Sequence, residues 1–336
     1  MRGAMSADVI PLRARGSQPT LAPMLALTAP GMNSVNAVIL DRMQSEIPLI
    51  PALAGHLISG GGKRMRPMLM VAAAELCGYQ GARHHKLAAA VEFLHTATLL
   101  HDDVVDGSDM RRGKAAANIV FGNPATVLVG DFLFTRAFEL MVEDGSLKVL
   151  KIFSKASSII AEGEVDQLTA QRRIETSEEH YLQIIGSKTA ALFAAATRIS
   201  AIVAEKSEAE EQALDSYGRN LGIAFQLVDD AIDYDSEASE SGKDKGDDFR
   251  EGKMTLPVIL AYARGNAEER KFWEDAIAGF RTEDEDLINR HGCVEATRER
   301  ARLYAQRAID SLSIFPAGAA RDAMCEAVEF AVARRY

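Results

Sequence analysis

Two aspartate clusters with the same internal spacing dominate the chemistry that this sequence can support. Residues 99–106 read LLHDDVVD and residues 226–233 read QLVDDAID, so each segment contains the pattern DDxxD. In an α-helix, residues i and i+4 lie on one face, so the outer aspartates of each pattern form a pair. These pairs are Asp102 with Asp106 in the first acidic box and Asp229 with Asp233 in the second acidic box. Like charges placed in this way repel each other, and a bound divalent cation would offset that cost.

The donor atoms indicate which cation is expected. Carboxylate oxygens suit Mg²⁺, with Mn²⁺ also possible, whereas zinc would need Cys or His at ligand spacing. The cysteines, Cys77, Cys293 and Cys325, lie far apart and form no CxxC or CxxH pattern. Because Mg²⁺ keeps several waters and usually binds together with phosphate oxygens, the site predicts a phosphorylated substrate.

Basic side chains that could hold phosphates occur in several segments. They are Lys63, Arg66, Arg111, Arg112, Lys188, Lys243 and Lys253. These cations carry enough charge for two diphosphate groups. The helix surface between the acidic boxes is apolar and rich in small residues, which indicates ligands with an anionic head and a hydrocarbon tail. Ordinary nucleotide binding is excluded, because neither a GxxxxGK(S/T) nor a GxGxxG pattern is present.

Some of these residues also have a purely structural interpretation. By itself, the glycine-rich turn at residues 60–67 is typical of a solvated loop. A kink near Gly186 would aim Lys188 and the Thr189 hydroxyl inward, but close helix packing with Lys188 extended to solvent is the alternative. A lone His95 would be an ordinary core histidine, yet its place on a polar stripe favours a cavity-facing role.

The elements that must position these residues are helices. Residues 86–106 are apolar on nearly every side except for a stripe at Glu92, His95, Asp102 and Asp106, which predicts a buried helix beside an internal cavity. Apolar periodicity predicts the other helices. They cover residues 32–46, a stretch from the turn at 60–67 to Cys77, and 123–141, 148–170, 177–204, 211–234 and 255–264, with several more after 268. Since no strand-rich segment occurs, the fold class is all-α.

Composition narrows the class of protein further. The net charge of −10 disfavours a nucleic-acid surface, and no apolar run is long enough to be a transmembrane segment. The N-terminus lacks a signal-peptide pattern, so together with the scattered cysteines it indicates a cytoplasmic setting. Residues 1–25 are expected to be a flexible tail, and residues 26–336 a single domain.

Motifs in a fixed order identify a family resemblance. They are GGKRMRP (61–67), HTATLLHDDVVD (95–106), RRG (111–113), GSKTAALF (186–193), FQLVDD (225–230) and GKDKGDDFREGK (242–253). In these motifs the chain resembles the trans-type polyprenyl diphosphate synthases over residues 30–336. The resemblance implies an isoprenoid-synthase-type helical bundle around a central apolar cavity. It also implies a homodimer that elongates an allylic diphosphate, such as farnesyl or geranyl diphosphate, with isopentenyl diphosphate.

The resemblance further implies a role for each motif residue. Asp102, Asp106 and Asp229 would bind magnesium, with Asp103, Asp230 and Asp233 in supporting roles. Arg111, Lys188, Lys243 and Lys253 would bind the allylic diphosphate. Lys63, Arg66, His95 and Arg112 would bind isopentenyl diphosphate, and Thr189 and Gln226 would line the reacting end.

Product length is expected to depend on residues below the first acidic box. In this family, bulky side chains there stop growth early, whereas Ala97 and Thr98 are small. Ala97 lies about a turn and a half below Asp102, where an aromatic ring would block a product tunnel. The sequence therefore predicts a long-chain all-trans product in the octaprenyl to decaprenyl range, as used for quinone side chains. Phe132 is a candidate floor residue, although ordinary core packing is as good an explanation.

Other functions remain as alternatives at this point. A farnesyl or geranylgeranyl diphosphate synthase would share the motifs. A terpene cyclase would normally carry an NSE-like second motif, and a non-catalytic subunit of a heteromeric synthase would lack aspartates that this chain retains. A di-iron carboxylate bundle would need glutamate and Glu-x-x-His ligands, which the boxes do not provide.

Overall fold

The structure is a computed structural model that describes residues 18–59, 63–111, 113–235, 246–279 and 285–334. The α-helices are α1 (Ala22–Arg42), α2 (Leu49–Ser59), α3 (Met65–Leu76), α4 (Arg83–Val105), α5 (Ala117–Phe121), α6 (Asn123–Asp144), α7 (Leu147–Ala170), α8 (Glu178–Ile185), α9 (Ala191–Val203), α10 (Glu208–Asp233), α11 (Asp247–Arg250), α12 (Leu256–Arg264), α13 (Ala267–Ile277), α14 (Glu285–Arg290), α15 (Cys293–Ser311) and α16 (Ala319–Ala333). A π-helical turn spans Gly186–Ala190 and a 3₁₀ turn spans Leu312–Ile314. Strands β1 (Met110–Arg111) and β2 (Lys114–Ala115) form a short antiparallel hairpin. The predicted all-α fold is confirmed.

Helix α4 is a central element of the bundle, as its sequence predicts. It packs against α1, α3, α6 and α9. Most of its apolar side chains are fully buried, among them Leu87, Val91, Leu94, Ala97 and Leu100. Burying such residues on nearly every side of one helix removes a large apolar area from water, which stabilises the bundle. The first acidic box lies at the C-terminal end of this buried helix.

Helix α10 carries the second acidic box and packs against α9, α15 and α16. Its first turn is fixed by a capping box, in which Ser207 and Glu210 each accept a hydrogen bond from the other's backbone N–H. Gly218 and Gly222 lie where α10 meets α9 and the π-helical turn. A Cβ atom on Gly222 would lie 2.6 Å from the Cα atom of Ala190. These glycines allow the close approach that brings the two segments together.

The predicted interruption near Gly186 is a π-helical turn rather than a break. Gly186 has ordinary right-handed helical backbone angles, with φ −61° and ψ −40°, and the helix continues through Ala190 into α9. π-Helical turns change which side of a helix faces its neighbours and are frequent at functional sites. Here the turn contains Lys188 and Thr189.

The first described helix begins earlier than the sequence suggested, while residues 1–17 of the predicted tail lie outside the described residues. Helix α1 begins at Ala22, so residues 22–25 belong to a helix and not to the tail predicted up to residue 25. The first predicted helix is also longer than residues 32–46 indicated, because the helix passes through Pro30. Within the described ranges, no helix is both long enough and apolar enough to cross a membrane.

Candidate active site

The first acidic box lies at the C-terminal end of α4. The backbone N–H of Asp106 donates to the carbonyl of Asp102 at 2.8 Å, so helical hydrogen bonding continues through the box. The side chains of Asp102 and Asp106 are only 16% and 10% exposed. Burial raises the pKa of Asp102, the ammonium group of Lys188 opposes this rise, and Asp106 adds to it. The helix therefore presents two adjacent, partly buried carboxylates that a cation would stabilise.

Asp103 has a different environment from its neighbours. Its side chain is buried, and Oδ1 accepts a hydrogen bond from Arg111 Nε at 2.5 Å. Asn118 Nδ2 donates to the backbone carbonyl of Asp103 at 3.1 Å. Burial raises the pKa of Asp103, while Arg111 opposes that effect. Asp103 therefore fixes the β1–β2 hairpin, and with it Arg111, next to the first box.

Asp230 is the buried member of the second box. Gln226 Nε2 donates to its Oδ1 at 2.8 Å, and the hydroxyl of Tyr181 donates to its Oδ2. Burial raises the pKa of Asp230, and the nearby Asp248 raises it further. Both carboxylate oxygens of Asp230 thus have protein donors, which makes it a structural centre of the second box.

The outer aspartates of the second box are more accessible. The side chain of Asp229 is half exposed, and its nearest charged partner is Arg334, whose Nη1 lies 3.8 Å from Asp229 Oδ1. Asp233 Oδ2 accepts a hydrogen bond from the backbone N–H of Asp248 at 3.2 Å. Asp229 is therefore the member of this box most available to a ligand.

Two neighbouring residues of the π-helical turn connect the boxes. Lys188 Nζ lies 3.6 Å from Asp102 Oδ2 in the first box. The hydroxyl of Thr189 donates to Gln226 Oε1 at 2.9 Å, and Gln226 in turn donates to Asp230 in the second box. Because Lys188 and Thr189 are adjacent in sequence, both boxes lie within side-chain reach of one helical turn.

The segment that follows the second box makes a further connection. Lys253 Nζ donates to Asp106 Oδ2 at 3.0 Å, although Lys253 lies 147 residues further along the chain. Burial disfavours the charged form of Lys253, but Asp248, Asp106 and Glu251 outweigh it and raise its pKa. The same segment contacts Asp233 through the backbone of Asp248. The lysine is therefore held charged between the two boxes.

A cavity of about 100 Å³ lies beside these residues. Its polar lining includes Lys188, Thr189, Gln226, Asp230, Asp248 and Lys253, with Gln167 and Gln171 from the end of α7. Its apolar lining includes Ile184, Ile185 and Met254. A wall of polar and charged groups that includes two lysines, next to apolar side chains, suits the junction between an anionic head and a hydrocarbon tail.

The residues predicted to bind isopentenyl diphosphate lie on α3, α4 and the turn before α3. Lys63 Nζ lies 4.7 Å from the ring centre of Phe330, and the guanidinium of Arg66 lies 4.4 Å from that of Phe193. His95 is half-buried on α4, and its backbone carbonyl accepts a hydrogen bond from Thr98. Burial lowers the pKa of Lys63, and repulsion from Arg334 lowers it further. A bound anion would relieve the repulsion between the like charges of Lys63 and Arg334.

Arg112 and Lys243 lie outside the described residues, so these two predicted ligands have no contacts to report. The residues predicted to set product length are all described. Ala97 is fully buried in the core, Thr98 is half-buried one residue further along α4, and neither lines the cavity. Phe132 is half-buried on α6, where the guanidinium of Arg136 lies 4.7 Å from its ring centre.

The sequence did not identify several residues that the fold brings to the site. Tyr181 contacts Asp230, Arg334 contacts Asp229, and Glu164 accepts a hydrogen bond from Lys188 at 2.7 Å. Glu164 gave a weak signal, because it lies one turn after Ile160 at the edge of the apolar stripe of α7. Tyr181 and Arg334 gave none, because their roles depend on contacts with distant segments.

The carboxylates fit a hard divalent cation that shares its ligands with a substrate. Among the described residues, no three His, Cys, Asp or Glu side chains converge on one metal position. Lysine ammonium groups lie beside Asp102 and Asp106 instead. A paired, partly buried set of aspartate oxygens still supplies the donors that Mg²⁺ prefers, and Mg²⁺ usually takes its other ligands from water and phosphate.

Comparisons with known proteins agree on one family. The model of the polyprenyl synthetase family matches residues 47–292. The chain is 49% identical to the octaprenyl diphosphate synthase of Escherichia coli (strain K12), over 92% of this chain and 97% of that protein. A polyprenyl synthase of Caulobacter crescentus CB15, solved with calcium and isoprenyl diphosphate, has a TM-score of 0.91 at 50% identity and covers 96% of this chain and 100% of its own. A decaprenyl diphosphate synthase of Rhodobacter capsulatus has a TM-score of 0.90 at 47% identity, covering 94% and 100%.

Proposed function

This chain belongs to the polyprenyl synthetase family, and from that premise we propose that it is a trans-prenyltransferase that makes a long-chain polyprenyl diphosphate. It condenses isopentenyl diphosphate with an allylic diphosphate such as farnesyl or geranyl diphosphate. The similarity to an octaprenyl and a decaprenyl diphosphate synthase over nearly the whole chain supports the long product. The shorter-chain alternative has weaker support, because the geranylgeranyl diphosphate synthase of Sulfolobus acidocaldarius is only 34% identical.

One observation carries this proposal: a single helical turn contacts both acidic boxes. Lys188 reaches Asp102, and Thr189 reaches Asp230 through Gln226. A diphosphate bound here would meet carboxylates that hold a metal and lysines that neutralise its oxygens. The adjoining apolar lining of the cavity would receive the start of the hydrocarbon chain.

The proposed binding roles follow the family resemblance, which the described side chains support, whereas the roles of Arg112 and Lys243 rest on the resemblance alone. Asp102, Asp106 and Asp229 would hold a divalent metal, with Mg²⁺ favoured by the all-oxygen donor set. Arg111, Lys188 and Lys253 would bind the allylic diphosphate, and Lys243 would join them. Lys63, Arg66 and Arg112 would bind isopentenyl diphosphate beside His95, with Arg334 as an additional cation on that side.

The reaction depends on stabilising a leaving group. When bound, the metal adds positive charge at the diphosphate oxygens. Lys188 and Lys253 stabilise the negative charge that grows as the allylic carbon–oxygen bond breaks. The double bond of isopentenyl diphosphate attacks the allylic carbon, and the departing pyrophosphate takes the proton that is then lost. The buried apolar helices exclude water from the cationic intermediate.

A homodimer is proposed from an exposed apolar face. Ile119 and Val120 on α5 and Leu128 on α6 are each at least half exposed, and the two helices pack against each other. Several large apolar side chains close together on a surface are typical of a protein interface. A second copy of the chain, with the same face, is the occupant that would cover it symmetrically.

The direct test is to incubate the purified protein with isopentenyl diphosphate, farnesyl diphosphate and Mg²⁺ and to size the dephosphorylated product. We expect products in the octaprenyl to decaprenyl range. Asp102→Asn and Asp229→Asn should each lower the elongation rate by at least about a hundredfold, because charge stabilisation at the diphosphate is lost. Failure of the wild-type protein to elongate would contradict the proposal, and products no longer than geranylgeranyl diphosphate would contradict the long-chain assignment.

A further inference from the structure

Both lysines beside the first acidic box share a feature that the reaction described above does not use. Lys188 Nζ lies 2.7 Å from Glu164 Oε2 but 3.6 Å from Asp102 Oδ2. Lys253 Nζ lies 2.6 Å from Glu251 Oε2 but 3.0 Å from Asp106 Oδ2. Each lysine is therefore closer to a glutamate outside the first acidic box than to the neighbouring aspartate within it.

The position of Glu164 is fixed by close helix packing. Gly163, the residue before it, faces the π-helical turn, and a Cβ atom at Gly163 would lie 2.7 Å from Ser187 Cβ and 3.1 Å from Lys188 N. Only a glycine allows α7 to come so near this turn. This packing places Glu164 next to Lys188, and its carboxylate, 27% exposed, contacts the ammonium group at the end of the Lys188 side chain.

The glutamates can hold the lysines in place when a metal is bound to the aspartates. A lysine ammonium group is a point charge on a flexible four-carbon stem, so it needs a fixed partner to stay in one place. Asp102 and Asp106 lose this function once their oxygens bind a metal. Glu164 and Glu251 lie outside the proposed metal ligands and can keep their lysines in place throughout the reaction.

We propose that Glu164 and Glu251 are positioning residues that hold Lys188 and Lys253 toward the allylic diphosphate. This inference rests on the proposed function. The two glutamates touch neither substrate nor metal, and act through the lysines alone. The same logic holds for metal ligands, whose hydrogen-bond partners orient them and whose loss typically costs about 10–100-fold in affinity or activity.

Equilibrium binding of farnesyl diphosphate separates this role from catalysis. Without isopentenyl diphosphate no elongation can occur, so calorimetry with farnesyl diphosphate and Mg²⁺ reports binding alone. We expect Glu164→Gln and Glu251→Gln each to raise the Kd by about tenfold. The KM for isopentenyl diphosphate, measured separately during turnover, should stay unchanged. Glu162→Gln is the matched control, because Glu162 is exposed on the same helix and, within the described part of the chain, hydrogen-bonds only with Ser158.

A double-mutant cycle tests whether Glu164 acts through Lys188. Lys188→Ala should weaken binding, and adding Glu164→Gln to it should produce no further change in Kd. An equal tenfold loss in both backgrounds would overturn the proposal, and so would a wild-type Kd in Glu164→Gln. A lower melting temperature with an unchanged Kd would indicate a purely structural role and would also overturn it. If the wild-type protein itself fails to bind farnesyl diphosphate and to elongate it, the proposed function fails instead.

Discussion

At the scale of single residues, the inner aspartate of the first box and that of the second box have different kinds of hydrogen-bond partner. Asp103 pairs with a cation, Arg111, whereas Asp230 accepts hydrogen bonds from the neutral groups of Tyr181 and Gln226. A buried carboxylate needs such partners, because an unpaired buried charge is costly. The inner aspartates therefore shape the site, while the outer ones remain available to a ligand.

Helical spacing alone was enough to find the acidic boxes, since the i and i+4 relation is local. Glu164, Tyr181 and Arg334 could not be found in that way. Tyr181 lies 49 residues before its partner Asp230, and Glu164 lies 24 residues before Lys188. Such contacts depend on how α7, α8 and α10 pack, which no local pattern in one sequence specifies.

Residue 97 provides a test of product length. Enlarging the side chain in the series Ala97→Val, Ala97→Leu and Ala97→Phe should shorten the product progressively, because each step would fill more of the product tunnel that the sequence predicts below Asp102. Sizing of the dephosphorylated products measures the effect. Phe132→Ala is tested beside it, and a longer product would support a floor at Phe132. An unchanged length across the Ala97 series would contradict the tunnel below the first box.

At the scale of helices, several boundaries followed from the sequence. The predicted helix at residues 86–106 corresponds to α4, and the one at 211–234 corresponds to α10. The start of α1 was predicted ten residues too late, because Pro30 and Gly31 normally interrupt helices. In the fold, Gly31 fits tightly against Val71, whose Cγ1 would lie 2.6 Å from an added Cβ atom. Tertiary packing therefore outweighs the local preference.

Three helix ends meet at Glu143, and this contact makes a pH-dependent contribution to stability. Arg42 of α1 donates two hydrogen bonds to the carboxylate, at 2.6 and 2.8 Å, and Lys86 of α4 donates one at 3.1 Å. These hydrogen bonds, first that of Arg42 and then that of Lys86, lower the pKa of Glu143 from 4.5 to about 2. Since the pKa is lower in the folded state, the stabilisation is complete above pH 4.5 and is lost as the pH falls toward 2.

We therefore expect Glu143→Gln to lower the free energy of unfolding by about 0.5–1 kcal/mol at pH 7, a modest value because the group is partly exposed. The difference from wild type should shrink steadily below pH 4.5. Urea unfolding at a series of pH values measures it. Glu139→Gln on the same helix is the control, since the ion pair of Glu139 among the described residues is with Arg136 of its own helix, and its effect on Arg42 is the weakest of the charge interactions there. A difference that stays constant down to pH 3 would contradict the assignment.

The contact between α10 and the π-helical turn gives a second prediction at this scale. Gly222→Ala would place a methyl group 2.6 Å from the Cα atom of Ala190, so the helices must separate. Overpacking of this kind costs about 1–3 kcal/mol. The separation should also lengthen the hydrogen bond between Thr189 and Gln226 and weaken binding of farnesyl diphosphate.

Gly55→Ala on α2 is the matched control, because no described atom lies within 4 Å of an added Cβ atom there. It should raise the free energy of unfolding by about 0.5–1 kcal/mol, as alanine favours a helix more than glycine does. Urea unfolding and calorimetry of both variants provide the comparison. Equal stability of Gly222→Ala and wild type would show that the helices are not held at this distance.

At the scale of the whole molecule, the site and the exposed apolar face occupy neighbouring parts of the bundle. Helix α4 carries the first acidic box and packs against α5 and α6, the helices that form the face. His101 Nε2, next to Asp102 in sequence, lies 3.3 Å from the backbone carbonyl of Val127 on α6. The helix at the proposed dimer interface is therefore directly supported by the helix of the active site.

The oligomeric state tests this arrangement. Leu128 is 67% exposed, and Leu128→Asp places a charge in the middle of the apolar face, where association would have to bury it. We expect the wild-type protein to have twice the mass of one chain in light scattering and the variant to have the mass of a single chain. Leu147→Asp is the control, because Leu147 is 82% exposed but lies beyond the opposite end of α6, and it should leave the dimer intact. A monomeric wild-type protein would contradict the proposed dimer. A Leu128→Asp variant that stays dimeric would show that the interface lies on another face. Should the monomeric variant also elongate more slowly, the packing of α6 on α4 gives the reason, since loss of the partner would loosen the helix that supports the first acidic box.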